Sequence, residues 1–260
     1  STSKKKTGQY QIIPWLKYIG TRSVEGIFIT HWDEDHISAV GELLEWSKSS
    51  RVKIRRIFLP DVALKDEVLE TLLQQIEEAN VSVEYLSAGE HMTDGALQIS
   101  CLHPYAKKMP EDRNDASLVL RLSQGDFQRL LTGDLEKSCE DWLVEQARPA
   151  VEQPQPAGQE QALPCAPSTQ LAAQNPLRCT ILDAGHHGAS NATGEALLDL
   201  AQPGVVLISC GKNNRYGHPA PETLQRLEER GIRWYSTAEV GAIQVQVGKK
   251  KVKIKQYIQN

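Results

Sequence analysis

At 260 residues, with a formal net charge of −4, 40% hydrophobic and 24% charged residues, the chain has room for one large α/β domain or two small ones around a substantial core. This is the composition of a soluble globular protein, with no apolar run approaching a membrane span. The slightly acidic total excludes a uniformly basic nucleic-acid binder. It does not exclude DNA contact, since acidic side chains gathered at a metal site lower the sum. The five cysteines, Cys101, Cys139, Cys165, Cys179 and Cys210, are odd in number, widely spaced and never in a CxxC pair, so they indicate buried thiols rather than a zinc ribbon or a disulfide framework. The polar, lysine-containing start at Ser1 has neither an initiator methionine nor an apolar h-region and reads as part of something longer.

Periodicity predicts a short amphipathic helix at 12–19, a buried strand at 26–30 and a helix at 39–48. A strand at 52–59, a surface helix at 65–79 and a strand at 81–85 follow. Strands are expected at 97–102, 117–122 and 127–132, the last two forming a hairpin around Ser123-Gln124-Gly125-Asp126. Between about 148 and 175 the composition turns to Pro, Gln and Ala, as in a flexible insertion within a single domain covering 1–260. The pattern resumes as strand 179–183, helix 194–201, strand 205–209, helix 221–230 and strand 232–236, alternating as βαβ units do. A hairpin of 242–247 and 251–257 ends the chain. Its last strand puts Lys251, Lys253 and Lys255 on one face, where lysine blocks edge pairing or contacts phosphate.

Directly after the strand at 26–30 comes Thr30-His31-Trp32-Asp33-Glu34-Asp35-His36, with four potential metal ligands within six residues. A strand end turning into a helix can aim alternate side chains at one centre, so that His31 and Asp33 hold one ion while Asp35 and His36 hold a second. The plainer alternative, capping of the helix that follows by Asp35 or Ser38, needs only one of these residues. Trp32 and Glu34 alternate away from the centre.

The motif THxDxDH resembles the metallo-β-lactamase signature HxHxDH, with Asp33 in place of its second histidine. Further blocks follow in the family's order: NDASLVL at 114–120, LLTGD at 130–134, HHGAS at 186–190 and GKNNRYGHP at 211–219. Together they resemble, from about Thr7 to Tyr257, the soluble nuclease domain of ComEC-type DNA-internalisation competence proteins. The resemblance implies an α/β fold of the metallo-β-lactamase αββα type. Family members begin with strands carrying a Gly-Gln-Gly-Asp segment and an Asp-Gly turn; neither occurs here, so the first strands are expected to be missing from the sequence. It implies Asp134 as a bridging ligand and one of His186 and His187 as a late ligand, His187 being favoured. The family's middle histidine falls at Asn114-Asp115, making Asp115 or Asn114 its stand-in ahead of His103.

Such a set is rich in oxygen, which favours Mn²⁺ with Zn²⁺ as the alternative. The implied activity is metal-dependent hydrolysis of DNA phosphodiester bonds during uptake in natural transformation, by a two-metal hydroxide mechanism. Asp35 and His218 would be the catalytic groups, and Ser190, Lys212, Asn214 and Arg215 would bind substrate. The implied partners are DNA and the rest of a membrane-embedded DNA-uptake channel protein, and the implied location is the extracytoplasmic side of the plasma membrane. Two other readings fit the residues: a metallohydrolase for another phosphodiester or ester, and a DNA-binding module with an inactive metal site.

Overall fold

The computed structural model describes residues 6–63, 65–105, 110–148, 175–248 and 251–257. The Pro/Gln/Ala-rich stretch expected to be flexible lies, at 149–174, outside the described residues. The chain is α/β and divides into two compact units, one of residues up to Ala88 with His103–Leu118, the other of Gly89–Leu102 and the chain from Val119 onward.

In the first unit a π-helical turn, Gly8–Ile12, runs into α1 (Ile13–Tyr18) and is followed by β1 (Ser23–Val24) and β2 (Ile27–Phe28). Then come α2 (Glu34–Ile37), α3 (Val40–Ser49), β3 (Lys53–Ile54), β4 (Arg56–Pro60), α4 (Glu67–Glu78) and β5 (Ser82–Leu86). The strand expected at 52–59 is thus broken at Arg55, whose N–H donates to the Val24 carbonyl, so one half pairs with β1 and the other with β2. β2, β4 and β5 form a parallel sheet. Leu72 and Ile76 of α4 and Val40, Leu43 and Leu44 of α3 close over Ile57, Leu59 and Trp32. The Asp66 carboxylate caps α4, accepting from the N–H groups of Val68 (2.8 Å) and Leu69 (3.3 Å).

The second unit carries β6 (His91–Asp94), β7 (Leu97–His103), β8 (Val119–Gln124), β9 (Phe127–Leu131), α5 (Lys137–Ala147), β10 (Ile181–Asp183) and α6 (Glu195–Ala201). It continues with β11 (Val205–Ile208), α7 (Pro221–Glu229), β12 (Arg233–Ser236), α8 (Thr237–Val240), β13 (Ala242–Val247) and β14 (Val252–Tyr257). Seven strands form one sheet in the order β12-β11-β10-β9-β8-β7-β6, parallel from β12 to β9 and antiparallel at β8–β9 and β6–β7. β11 is buried at every position, as a central parallel strand must be, which is why it reads as an unbroken Val-Val-Leu-Ile run. One sheet face packs Leu130, Leu182, Val206 and Ile208 under Leu143, Leu197 and Leu227 of the helices. The other packs Ile181, Val205 and Leu207 against Ile243, Val245 and Ile254 of the β13–β14 hairpin. Lys251, Lys253 and Lys255 stay exposed.

Four parallel strands end side by side, and an α/β sheet presents its ligand-binding loops at its carboxyl edge. Asp134 follows β9, His186 and His187 follow β10, and the 211–218 loop follows β11.

Candidate metal site

In the first unit β2 delivers Thr30 and His31 to the turn that starts α2. Asp33 is the N-cap residue of α2 in extended geometry, and its side chain makes no capping bond, so its carboxylate is not spent on the helix. His31 is fully buried. Its Nδ1 lies 3.2 Å from the Thr30 hydroxyl and 3.4 Å from that of Ser117, while the same Thr30 hydroxyl lies 3.2 Å from His36 Nδ1. Both rings are therefore held through Nδ1, with centroids 4.1 Å apart. His31 Nε2 lies 3.8 Å from Asp33 Oδ2.

The other oxygen of Asp33 accepts from Arg113 (3.1 Å), whose guanidinium also forks onto both oxygens of Asp66 at 2.8 and 3.2 Å. For the Asp66 carboxyl, burial pushes the pKa up, but Arg113 and the N–H groups of Leu69 and Val68 outweigh it and hold it below the ordinary value. Arg113 thus fixes the rotamer of Asp33 from a base that is itself charge-paired. The Asp115 carboxylate accepts from the Glu111 N–H within its own loop (3.4 Å). His103 donates its Nδ1–H to the Ser117 carbonyl (2.8 Å), supporting the segment that meets His31.

In the second unit Asp134, 4% exposed, follows a Thr132-Gly133 turn in which Gly133 has a left-handed φ of 57°. The His186 N–H donates to the Gly133 carbonyl (3.0 Å), tying the two turns together. His186 and His187 are both left-handed, with φ of 45° and 55°. Consecutive non-glycine residues in this region are costly and persist where surrounding contacts enforce them. On extended backbone neighbouring side chains diverge. The left-handed turn instead brings His186 Nε2 to 3.9 Å and His187 Nε2 to 3.7 Å from Asp134 Oδ2. His186 Nδ1 lies 3.1 Å from Glu136.

His187 Nδ1 sits 2.7 Å from the Ser209 carbonyl, an acceptor only, so the ring proton is on Nδ1 and the Nε2 lone pair points to the side of Asp134. A bare imidazole nitrogen and a carboxylate oxygen at this spacing form a donor set suited to a shared divalent cation. The residues present therefore fit a metal, and His187 has the tautomer of a ligand.

In the 211–218 loop the Asn214 side chain is turned inward: its amide donates to the carbonyls of Gly211 and His218, and its oxygen accepts from the His218 N–H (2.8 Å). Of the four residues expected to bind substrate, Asn214 thus shapes the loop. Ser190, Lys212 and Arg215 are exposed. Burial lowers the pKa of His218, and the neighbouring His186 and His187 lower it further against the pull of Asp134.

Sequence reasoning missed Arg113, Thr30, Ser117 and Glu136. Arg113 and Ser117 flank or fall in the block at 114–120, the one signal that pointed near them.

Fold and site together define an α/β protein with histidine–carboxylate turns at the ends of its strands. The chain is 31% identical over 237 residues to ComE operon protein 3 of Bacillus subtilis, covering 91% of this chain and 26% of that protein. It is 24% identical to competence protein ComA of Neisseria gonorrhoeae (97% and 29% covered) and 23% identical to Recombination protein 2 of Haemophilus influenzae (95% and 25%). Homologues of the ComEC type thus cover nearly the whole chain, as the motif blocks implied, and the chain spans about a quarter of their length. No protein-family model matches. Similar solved structures include the metallo-β-lactamase fold protein YhfI of Bacillus subtilis (10% identity, TM-score 0.49, 86% of this chain and 79% of that one). Another is the diiron β-hydroxylase CmlA of Streptomyces venezuelae (13%, 0.49, 82% and 43%).

Proposed function

We propose that the chain is a metal-dependent nuclease of the metallo-β-lactamase type that hydrolyses DNA phosphodiester bonds during DNA uptake, as one segment of a longer competence protein. The observation that carries the reading is His187, tautomer-fixed by Ser209 and turned to the buried carboxylate of Asp134, in a chain whose homologues are competence proteins. The proposed ligand set is the one the motif resemblance implies: His31, Asp33, Asp35, His36, Asp134 and His187. Asp115, whose carboxylate accepts from the Glu111 N–H, stays the proposed stand-in for the family's middle histidine.

Two divalent ions in such a site supply Lewis acidity and make water nucleophilic near neutral pH. The oxygen-rich set favours Mn²⁺, with Zn²⁺ as the alternative. Asp35, exposed in the first turn of α2, orients the attacking water. His218, whose pKa is lowered by burial and its imidazole neighbours, donates a proton to the leaving oxygen or a hydrogen bond to a non-bridging phosphate oxygen. Lys212 and Arg215 contact backbone phosphates. The longer protein is proposed to be membrane-embedded and to hold this segment on the extracytoplasmic side. Among the described residues no helix is long and apolar enough to cross a membrane.

End-labelled single- and double-stranded DNA incubated with the chain tests the reading. Cleavage is expected with Mn²⁺ at least as fast as with Zn²⁺, and none in EDTA. Absence of cleavage with either ion overturns it, and hydrolysis confined to a small phosphodiester supports a different metallohydrolase.

A further inference from the structure

The 211–218 loop ends in a feature that a bare metal site does not require. Tyr216 exposes 64% of its surface, yet its ring is held rather than free. It stacks on His218 with centroids 5.8 Å apart and planes 15° from parallel, and the Arg215 guanidinium carbon lies 4.8 Å from its centroid. Arg215 also donates to the Tyr216 hydroxyl. The three hydrogen bonds of Asn214 fix the loop beneath it. His218 in turn lies 5.8 Å from His186, whose Nε2 is 3.9 Å from Asp134. Tyr216 is therefore the outer end of a row of rings that begins at a candidate metal ligand.

Holding an aromatic ring in water at a loop tip gains nothing for folding, whereas a pre-positioned ring lowers the ordering cost of binding a flat partner. We propose that Tyr216 is a stacking platform for one unpaired base of the strand being cut, with Arg215 beside it for the adjoining phosphate; the inference rests on the nucleic-acid part of the function proposed above. Stacking on a π-face is indifferent to base identity. Within a duplex each base is already stacked on both sides, so the platform selects single strands or frayed ends.

The test is fluorescence anisotropy with a labelled oligothymidylate carrying cleavage-resistant phosphorothioate linkages, in Mn²⁺. Tyr216→Ala is expected to raise Kd by about tenfold and Tyr216→Trp to restore it. Moving a single abasic nucleotide along the oligonucleotide should reveal one position where the unsubstituted chain loses a similar factor and Tyr216→Ala loses no more. Equal affinity of Tyr216→Ala and the unsubstituted chain, or losses that add at every abasic position, overturns the inference. Binding that depends on Tyr216 without cleavage of ordinary DNA supports the platform and overturns the nuclease. Cleavage with binding indifferent to Tyr216 does the reverse.

Discussion

Asp134→Asn is expected to lower DNA cleavage in Mn²⁺ by about a thousandfold or more, equivalent to ~4 kcal/mol of transition-state stabilisation. Asparagine keeps the volume of a side chain that is 4% exposed, so packing around Thr132 and Leu135 is retained. What it removes is the negative charge facing the Nε2 atoms of His186 and His187 at 3.9 and 3.7 Å. Without that charge a cation held between carboxylate and imidazole loses its strongest attraction, and its Lewis acidity goes with it. The check is the initial rate on labelled single-stranded DNA beside a thermal melt. A folded variant retaining more than about a tenth of the rate contradicts the role given to Asp134.

The second large effect concerns stability. Glu140 is only 2% exposed and points from α5 at the loop before α6, accepting from the N–H groups of Thr193 (2.7 Å) and Gly194 (2.6 Å). Burial pushes its carboxyl above the ordinary pKa, and the two N–H groups pull it part of the way back. Glu140→Ala strands two backbone donors in a buried site, each bond to a charged group being worth about 1.5 to 3 kcal/mol, so a loss of about 3 kcal/mol is expected. At this chain length that is roughly 6 to 12 °C in Tm. Glu140→Gln, whose amide oxygen still accepts, should lose about half as much. The consequence reaches the site, because the Thr193 hydroxyl accepts from the Gly185 N–H (2.9 Å) and so closes the loop that carries His186 and His187. A Tm within about 2 °C of the unsubstituted chain contradicts this account.

How much of the site is legible in the sequence depends on where each interaction lies along the chain. The cluster at 30–36 is legible because its donors are neighbours and sit where an apolar strand stops. The contacts that orient those donors are not: Arg113 reaches Asp33 across 80 positions, and Ser117 reaches His31 across 86. The parallel strands β10 and β11 show as apolar runs because both their faces are covered. β6 passed unread, since His-Met-Thr-Asp is mostly exposed and becomes a strand through its register with β7, His91 opposite Ser100 and Asp94 opposite Leu97. α5 passed unread for another reason: its core face runs Cys139, Leu143, Val144 and Ala147 but also buries Glu140, which interrupts the apolar stripe. The side on which His186 lies is not legible, because period-two alternation holds only for extended backbone, and both histidines are left-handed.

Calorimetric titration of the chain with Mn²⁺ tests the central claim most directly, because the nuclease reading stands on the metal before it stands on DNA. Saturable binding of two ions per chain is predicted, falling to at most one in Asp134→Asn. The absence of saturable binding, or two ions bound equally well by Asp134→Asn, would contradict the metal site as assigned.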